Sequence, residues 1–339
     1  MIETAAQPGP SALTMRVSDV LARTDQRLRE GGSAAPRPWA TGFSPLDSFL
    51  SGGVRPGELV LLAGPQGLGK TTMALQLCRH VLTQGCPVLY VSYEHDAVNL
   101  LERLLAAEAG ERAGVDAVPL KEVRALLEGD GSATSLSDKL ASTPGGAEAL
   151  SVVAVDLEHL HVLRGGVATD VATITAAVAE VTAAEGSPPL VLVDYVQKVA
   201  VEPLVDDEEV RMARVAGALK DLALTREVPV VAITASDSEG IAAGSRLRTE
   251  HFRGASALAY EADVVLVLNE KYDVVARHHL MYGANNAERF RSYAVLTIEK
   301  NRGGMSRVDL QFRKRFEQAR FERAGAMVEE QLVDERVFV

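Results

Sequence analysis

Eight consecutive residues, Gly64-Pro65-Gln66-Gly67-Leu68-Gly69-Lys70-Thr71, fit G-x-x-x-x-G-K-[ST], a spacing that wraps backbone around phosphate. Glycines let the chain curl until successive N–H groups face one anion. A helix opening behind the loop adds a favourable dipole. In this arrangement Lys70 supplies charge to the β- and γ-phosphates and Thr71 offers a hydroxyl to Mg²⁺. The context agrees: the loop follows the apolar run ELVLLA and opens the segment KTTMALQLC, so strand, loop and helix are in register. Gly64 to Thr72 are therefore the expected nucleotide-binding residues, with ATP and Mg²⁺ as the cofactors.

Such a loop needs a carboxylate for the magnesium water shell and a group to activate water. The run PLVLVD ends in Asp194, which would lie beside Thr71 at the sheet edge where strands pass into helices. PVLYVSYE ends in Glu94, placed either to act as general base or to cap the helix that follows. His159 and His161, two apart, are expected on opposite faces of any strand, as core or surface histidines. His278-His279 reads as an exposed turn. Asp206-Asp207-Glu208-Glu209 reads as a solvated loop or helix start, where carboxylates suit the dipole.

The elements that must position these residues alternate along the chain. Apolar runs at 58–63, 87–92, 189–194, 228–234 and 263–268 are apolar on both faces, as strands buried between two helical layers must be. Helical patterns fall at 70–84, 96–109, 170–184 and 208–226, and more amphipathic strands at 293–299 and 305–312 suggest a hairpin. Residues 110–150 are Ala/Gly/Ser-rich and read only as helical. The implied fold class is α/β, a P-loop NTPase with a mostly parallel central sheet flanked by helices. The expected organisation is a disordered tail at 1–15, a helix and linker at 16–40, an ATPase domain at 41–323 and a C-terminal tail at 324–339.

Composition bounds the function classes. The 339 residues carry a net charge of −11, which argues against a protein that coats nucleic acid generally. Residues 299–323 reverse that balance, with eight Lys/Arg against four Asp/Glu. No run of eighteen uncharged apolar residues is present, so no membrane partner is expected. The first residues lack the basic start and apolar core of a secretory signal. Two cysteines, Cys78 and Cys86, are too few for a zinc cluster or a disulfide framework, and the cytoplasm is the expected compartment.

Taken in order, these motifs resemble the C-terminal RecA-like motor domain of DnaB-family replicative helicases. TGFSPLDSFLSGGVRPGELVLLAGPQGLGKTT is similar to the family's opening segment and phosphate loop, YVSYE to the strand bearing the catalytic glutamate, and VDYVQ to the strand bearing the Mg²⁺ acid. The resemblance implies Glu94 as catalytic base and Asp194 as metal acid, with Gln197 as a sensor beside it. FRGASALAYEADVVLVLN resembles the segment around a DNA-contacting loop, which puts Arg253 on DNA. IEKNRGG resembles the strand end that lends a neighbour a Lys and an Arg finger, here Lys300 and Arg302. The family assembles as a homo-oligomeric ring, usually a hexamer, with ATP between subunits, and moves on single-stranded DNA. The helix at 16–30 matches its linker helix. No counterpart of the family's primase-interacting domain is expected in the forty residues before Thr41. The sequence departs from the family at Ala235, where a sensor glutamine is usual, at Gly254, and in the acidic loop VAVEPLVDDEE. Two alternatives follow: a recombination ATPase like RadA, and a KaiC-like regulatory or assembly ATPase without helicase work.

Overall fold

A computed structural model describes residues 16–31, 37–129, 131, 133–235, 245–251, 254–281 and 286–334. Residues up to Arg37 and those from Pro38 onward form separate units. The first contains α1 (Val17–Arg29), the expected helix. The expected tail 1–15 lies outside the described residues.

The second unit begins with α2 (Ser44–Phe49), where the Asp47 carboxylate gathers the backbone N–H groups of Thr41 and Gly42. It continues through β1 (Leu59–Gly64), α3 (Lys70–Leu82), β2 (Val88–Ser92) and α4 (Ala97–Ala113). The Ala-rich stretch breaks into α5 (Leu120–Glu128), α6 (Leu136–Ala141) and α7 (Gly146–Leu157). Then come β3 (Leu160–Arg164), α8 (Val171–Glu185), β4 (Leu190–Asp194), α9 (Glu208–Arg226) and β5 (Val230–Ala235). After α10 (Ala255–Glu261) and β6 (Val264–Glu270), the short helices α11 (Lys271–Val274), α12 (Arg277–Met281) and α13 (Asn286–Arg291) lead to β7 (Tyr293–Asn301) and β8 (Val308–Arg315). Two short strands, β9 (Arg320–Phe321) and β10 (Ala326–Met327), close the fold.

The sheet order is β10-β8-β7-β6-β1-β5-β4-β2-β3, with β9 paired to β8. The strands from β6 to β3 in that order are mutually parallel, whereas β7, β8 and β10 join antiparallel. Side chains alternate across the sheet, which explains why whole strands are apolar. Val60, Leu62, Tyr90, Leu192 and Leu266 pack with α3 and α4 in one core, and Leu59, Leu61, Val91, Val193 and Val265 with α8, α9 and α10 in the other. The helices on the β2, β3 and β4 connections are started by aspartates: Asp96, Asp170 and Asp207 each accept from the backbone N–H three residues on.

Several expectations are corrected. β3 falls where no strand was expected. Residues two apart in a strand share a face, and His159 and His161 both meet the Glu185 carboxylate, at 2.7 and 2.6 Å. His278 and His279 sit in α12, not in a turn. The second hairpin strand starts at Val308, because residues from Arg302 to Arg307 make the connection. Residues 324–334, read as tail, run onto the sheet: β10 pairs with β8, and Glu330 takes the buried Lys271 ammonium at 2.7 Å. Cys78 and Cys86 are buried free thiols. Among the described residues no helix is long and apolar enough to cross a membrane.

Leu61, fully buried on central strand β1, carries the parallel core. Leu61→Ala is expected to cost about 2–5 kcal/mol, read as a lowered urea midpoint with unchanged slope.

Candidate nucleotide-binding site

The phosphate loop joins β1 to α3 and depends on two left-handed backbone positions. Gly67 has φ +78° and Gly69 φ +85°. At Gly69 a Cβ would also stand 2.8 Å from the Phe316 ring, so only glycine fits there. Lys70 Nζ donates to the Gly64 and Pro65 carbonyls at 2.8 and 2.9 Å, which folds the ammonium over the loop. Burial pushes its pKa down, and the Asp194 and Glu94 carboxylates act against that shift.

Asp194 ends β4 and is 1% exposed. Its Oδ2 accepts from the Thr71 hydroxyl at 3.0 Å and from the Tyr90 hydroxyl at 2.8 Å. Burial raises its pKa, opposed by those two hydrogen bonds and by His95 and Lys70. A buried carboxylate against a threonine hydroxyl at a glycine-loop helix is a hard-oxygen donor set, suited to Mg²⁺. Tyr90 is the residue that sequence reasoning missed. Its signal was available: a tyrosine inside an otherwise aliphatic, doubly covered strand needs a partner for its hydroxyl.

Glu94 is exposed on the turn between β2 and α4. The turn is tied by Ser92, whose Oγ donates to the His95 carbonyl at 2.6 Å and accepts its N–H at 3.0 Å. Capping of α4 falls to Asp96, which accepts from Asn99 N at 2.8 Å, so that role is not Glu94's. The Gln197 amide is committed to the end of β5. It donates to Thr234 Oγ1 at 2.7 Å and the Ala235 carbonyl at 3.1 Å, and its oxygen accepts Ala235 N at 3.3 Å.

The structure brings Gly64–Thr72, Glu94, Asp194 and Gln197 to one edge of the sheet. Lys300 and Arg302 lie at the other. Because β7 runs antiparallel to β6, its end lies beside the start of β6, with Lys300 opposite Val265. There Lys300 Nζ donates to the Ala259 and Tyr260 carbonyls, and Arg302 to Asp263 Oδ1 at 3.1 Å and the Tyr260 carbonyl at 2.8 Å. Gly64 stands beside Leu268, and the strand from Asp263 to Leu268 spans roughly 16 Å. Arg253 lies outside the described residues. The acidic residues Asp206 to Glu209 are exposed, with Asp207 as the α9 cap.

The family model described as DnaB-like helicase C terminal domain matches residues 39–323. The replicative DNA helicase DnaB of Pasteurella multocida is 25% identical over 316 residues, covering 92% of this chain and 62% of its own length. The chain thus spans about six-tenths of the curated relatives that it matches across most of its length. The DNA repair protein RadA of Mycobacterium tuberculosis is 44% identical over only 61 residues, 18% of this chain and 13% of its own. A solved structure of a DnaB-like replicative helicase superposes with a TM-score of 0.67 at 16% identity, covering 90% of this chain and 68% of that one.

Tyr90→Phe keeps the ring and removes one hydrogen bond to a buried carboxylate. It is expected to destabilise the protein by about 1–3 kcal/mol in urea titration, whereas a hydroxyl without a role would change the midpoint little.

Proposed function

The chain belongs to the DnaB-like helicase C-terminal domain family, and from that premise we propose that it is an ATP-hydrolysing motor that works as a ring on single-stranded DNA. Gly64–Thr72 cradle the triphosphate, with Lys70 on its outer phosphates. Thr71 and Asp194 would hold magnesium and its water shell, and the ion would supply positive charge against the phosphate oxygens. Glu94, exposed and free of capping work, takes the proton from the attacking water. Gln197, which sits in the turn after Asp194 and bonds through its amide to the end of β5, acts as a sensor linking those two strand ends.

One observation carries the assembly. The cations expected to meet the γ-phosphate, Lys300 and Arg302, sit roughly 16 Å down the sheet from the chain's own phosphate loop and are bonded to the opposite edge. A second copy must bring its own pair to the first copy's site, so hydrolysis depends on assembly. Repetition of that contact closes a homo-oligomeric ring, for which a hexamer is the family's form. Residues 41–334 are then the motor, 16–40 the linker helix and linker, and Arg253 a DNA contact, in a cytoplasmic protein. A regulatory ATPase of the KaiC kind is the second reading, favoured by the exposed acids Glu202 and Asp206 to Glu209 after β4 and by Ala235 at the end of β5. The recombination reading rests on matches to 18–31% of the chain and is the narrower one.

ATP hydrolysis measured with and without single-stranded DNA tests the proposal. Stimulation by DNA is expected, with Glu94→Gln lowering the rate about 10²–10⁴-fold and Arg302→Ala about 10³-fold or more while nucleotide still binds. Hydrolysis indifferent to DNA yet dependent on Arg302 would transfer support to the regulatory reading. Full activity in Arg302→Ala would refute the shared site.

A further inference from the structure

The proposed finger does not hang free at the end of β7. Its guanidinium is gripped at two points, by the Asp263 carboxylate and the Tyr260 carbonyl, while the side chain remains 49% exposed. Backbone bonding fixes its root, since Arg302 N donates to the Asp263 carbonyl at 2.9 Å. Asp263 is itself anchored in the core of the lower edge. Its Oδ2 accepts from Leu59 N at 2.8 Å and from Lys220 Nζ at 2.6 Å, and Lys220 also donates to the Gly57 carbonyl at 2.7 Å. Both partners are nearly buried, at 13% and 11% side-chain exposure.

A single carboxylate holding an arginine would cancel the charge that the arginine is needed to deliver. Here a buried ammonium already balances Asp263, so the trio keeps one net positive charge, and the half-exposed member carries it outward. A planar guanidinium fastened along one side also has its orientation set before a neighbour arrives, which removes the entropy of ordering a long side chain. We propose that Asp263, balanced by Lys220, is a positioning residue that orients Arg302 toward the nucleotide of an adjacent copy. The inference rests on the reading that Arg302 acts between subunits. Lys220 lies on α9, so the mount ties that helix to the start of β1 and to the end of β7.

The test is complementation of basal ATP hydrolysis, without DNA, in equimolar mixtures. Glu94→Gln subunits have a dead site and an intact Arg302. Asp263→Asn keeps the side-chain shape, and alone it should lower kcat about ten- to a hundredfold with nucleotide affinity unchanged. Mixed with Glu94→Gln it should hydrolyse faster than the sum of the two proteins measured apart, as Arg302→Ala mixed with Glu94→Gln should too. Lys220→Gln leaves the carboxylate paired with Arg302 and should show the same defect and the same rescue, which covers a failure of Asp263→Asn to fold. Wild-type kcat in both variants would overturn the mount, and so would a defect that Glu94→Gln does not rescue although it rescues Arg302→Ala. Failure to rescue Arg302→Ala itself would overturn the intersubunit reading, and the mount with it.

Discussion

Six neighbouring strands, β6, β1, β5, β4, β2 and β3, run the same way, so each passes into its following segment along one edge of the sheet. Parallel pairing demands burial on both faces, which in turn demands helices on both, and these are the α3–α4 and α8–α9–α10 layers. The nucleotide site follows from that arrangement. Gly64, Ser92, Asp194 and Ala235 end β1, β2, β4 and β5, and register alone places Ser92 beside Asp194 and Gly64 beside Ala235. The antiparallel turn to β7 sends Lys300 and Arg302 to the opposite edge.

At the edge that carries the phosphate loop, burial and charge oppose each other. Burial works against the charges of both Lys70 and Asp194; the Asp194 and Glu94 carboxylates sustain the ammonium, and the Tyr90 and Thr71 hydroxyls, with His95 and Lys70, sustain the carboxylate. Thr71 and Tyr90 share one oxygen of Asp194, so α3, β2 and β4 are joined at a single atom. The carboxylate is thereby held in place by side chains from two other elements, so its position is set before any ligand arrives.

Much of this was legible in the sequence for a physical reason: strands buried on both faces have no polar alternation to confuse them with surface elements. The phosphate loop was legible because its glycines answer to backbone geometry at Gly67 and Gly69. β3 was not, since LHVLR lies at the sheet's edge, only partly buried, with His161 meeting Glu185. β10 and the run to Asp334 were missed because two-residue pairing and single ion pairs leave no periodicity. Tyr90 looked like core and is core, but its hydroxyl finds Asp194 only through the β2–β4 register. Motif resemblance named Lys300 and Arg302, yet only topology shows that they lie away from their own chain's phosphate loop.

The claim that the active site is shared between copies is tested most directly by dilution. Hydrolysis per chain should be measured across the protein concentrations over which sedimentation shows assemblies dissociating. The account predicts that the rate per chain falls toward zero as monomers accumulate, while nucleotide binding by monomers persists. A rate per chain that stays constant into the monomeric range would contradict it.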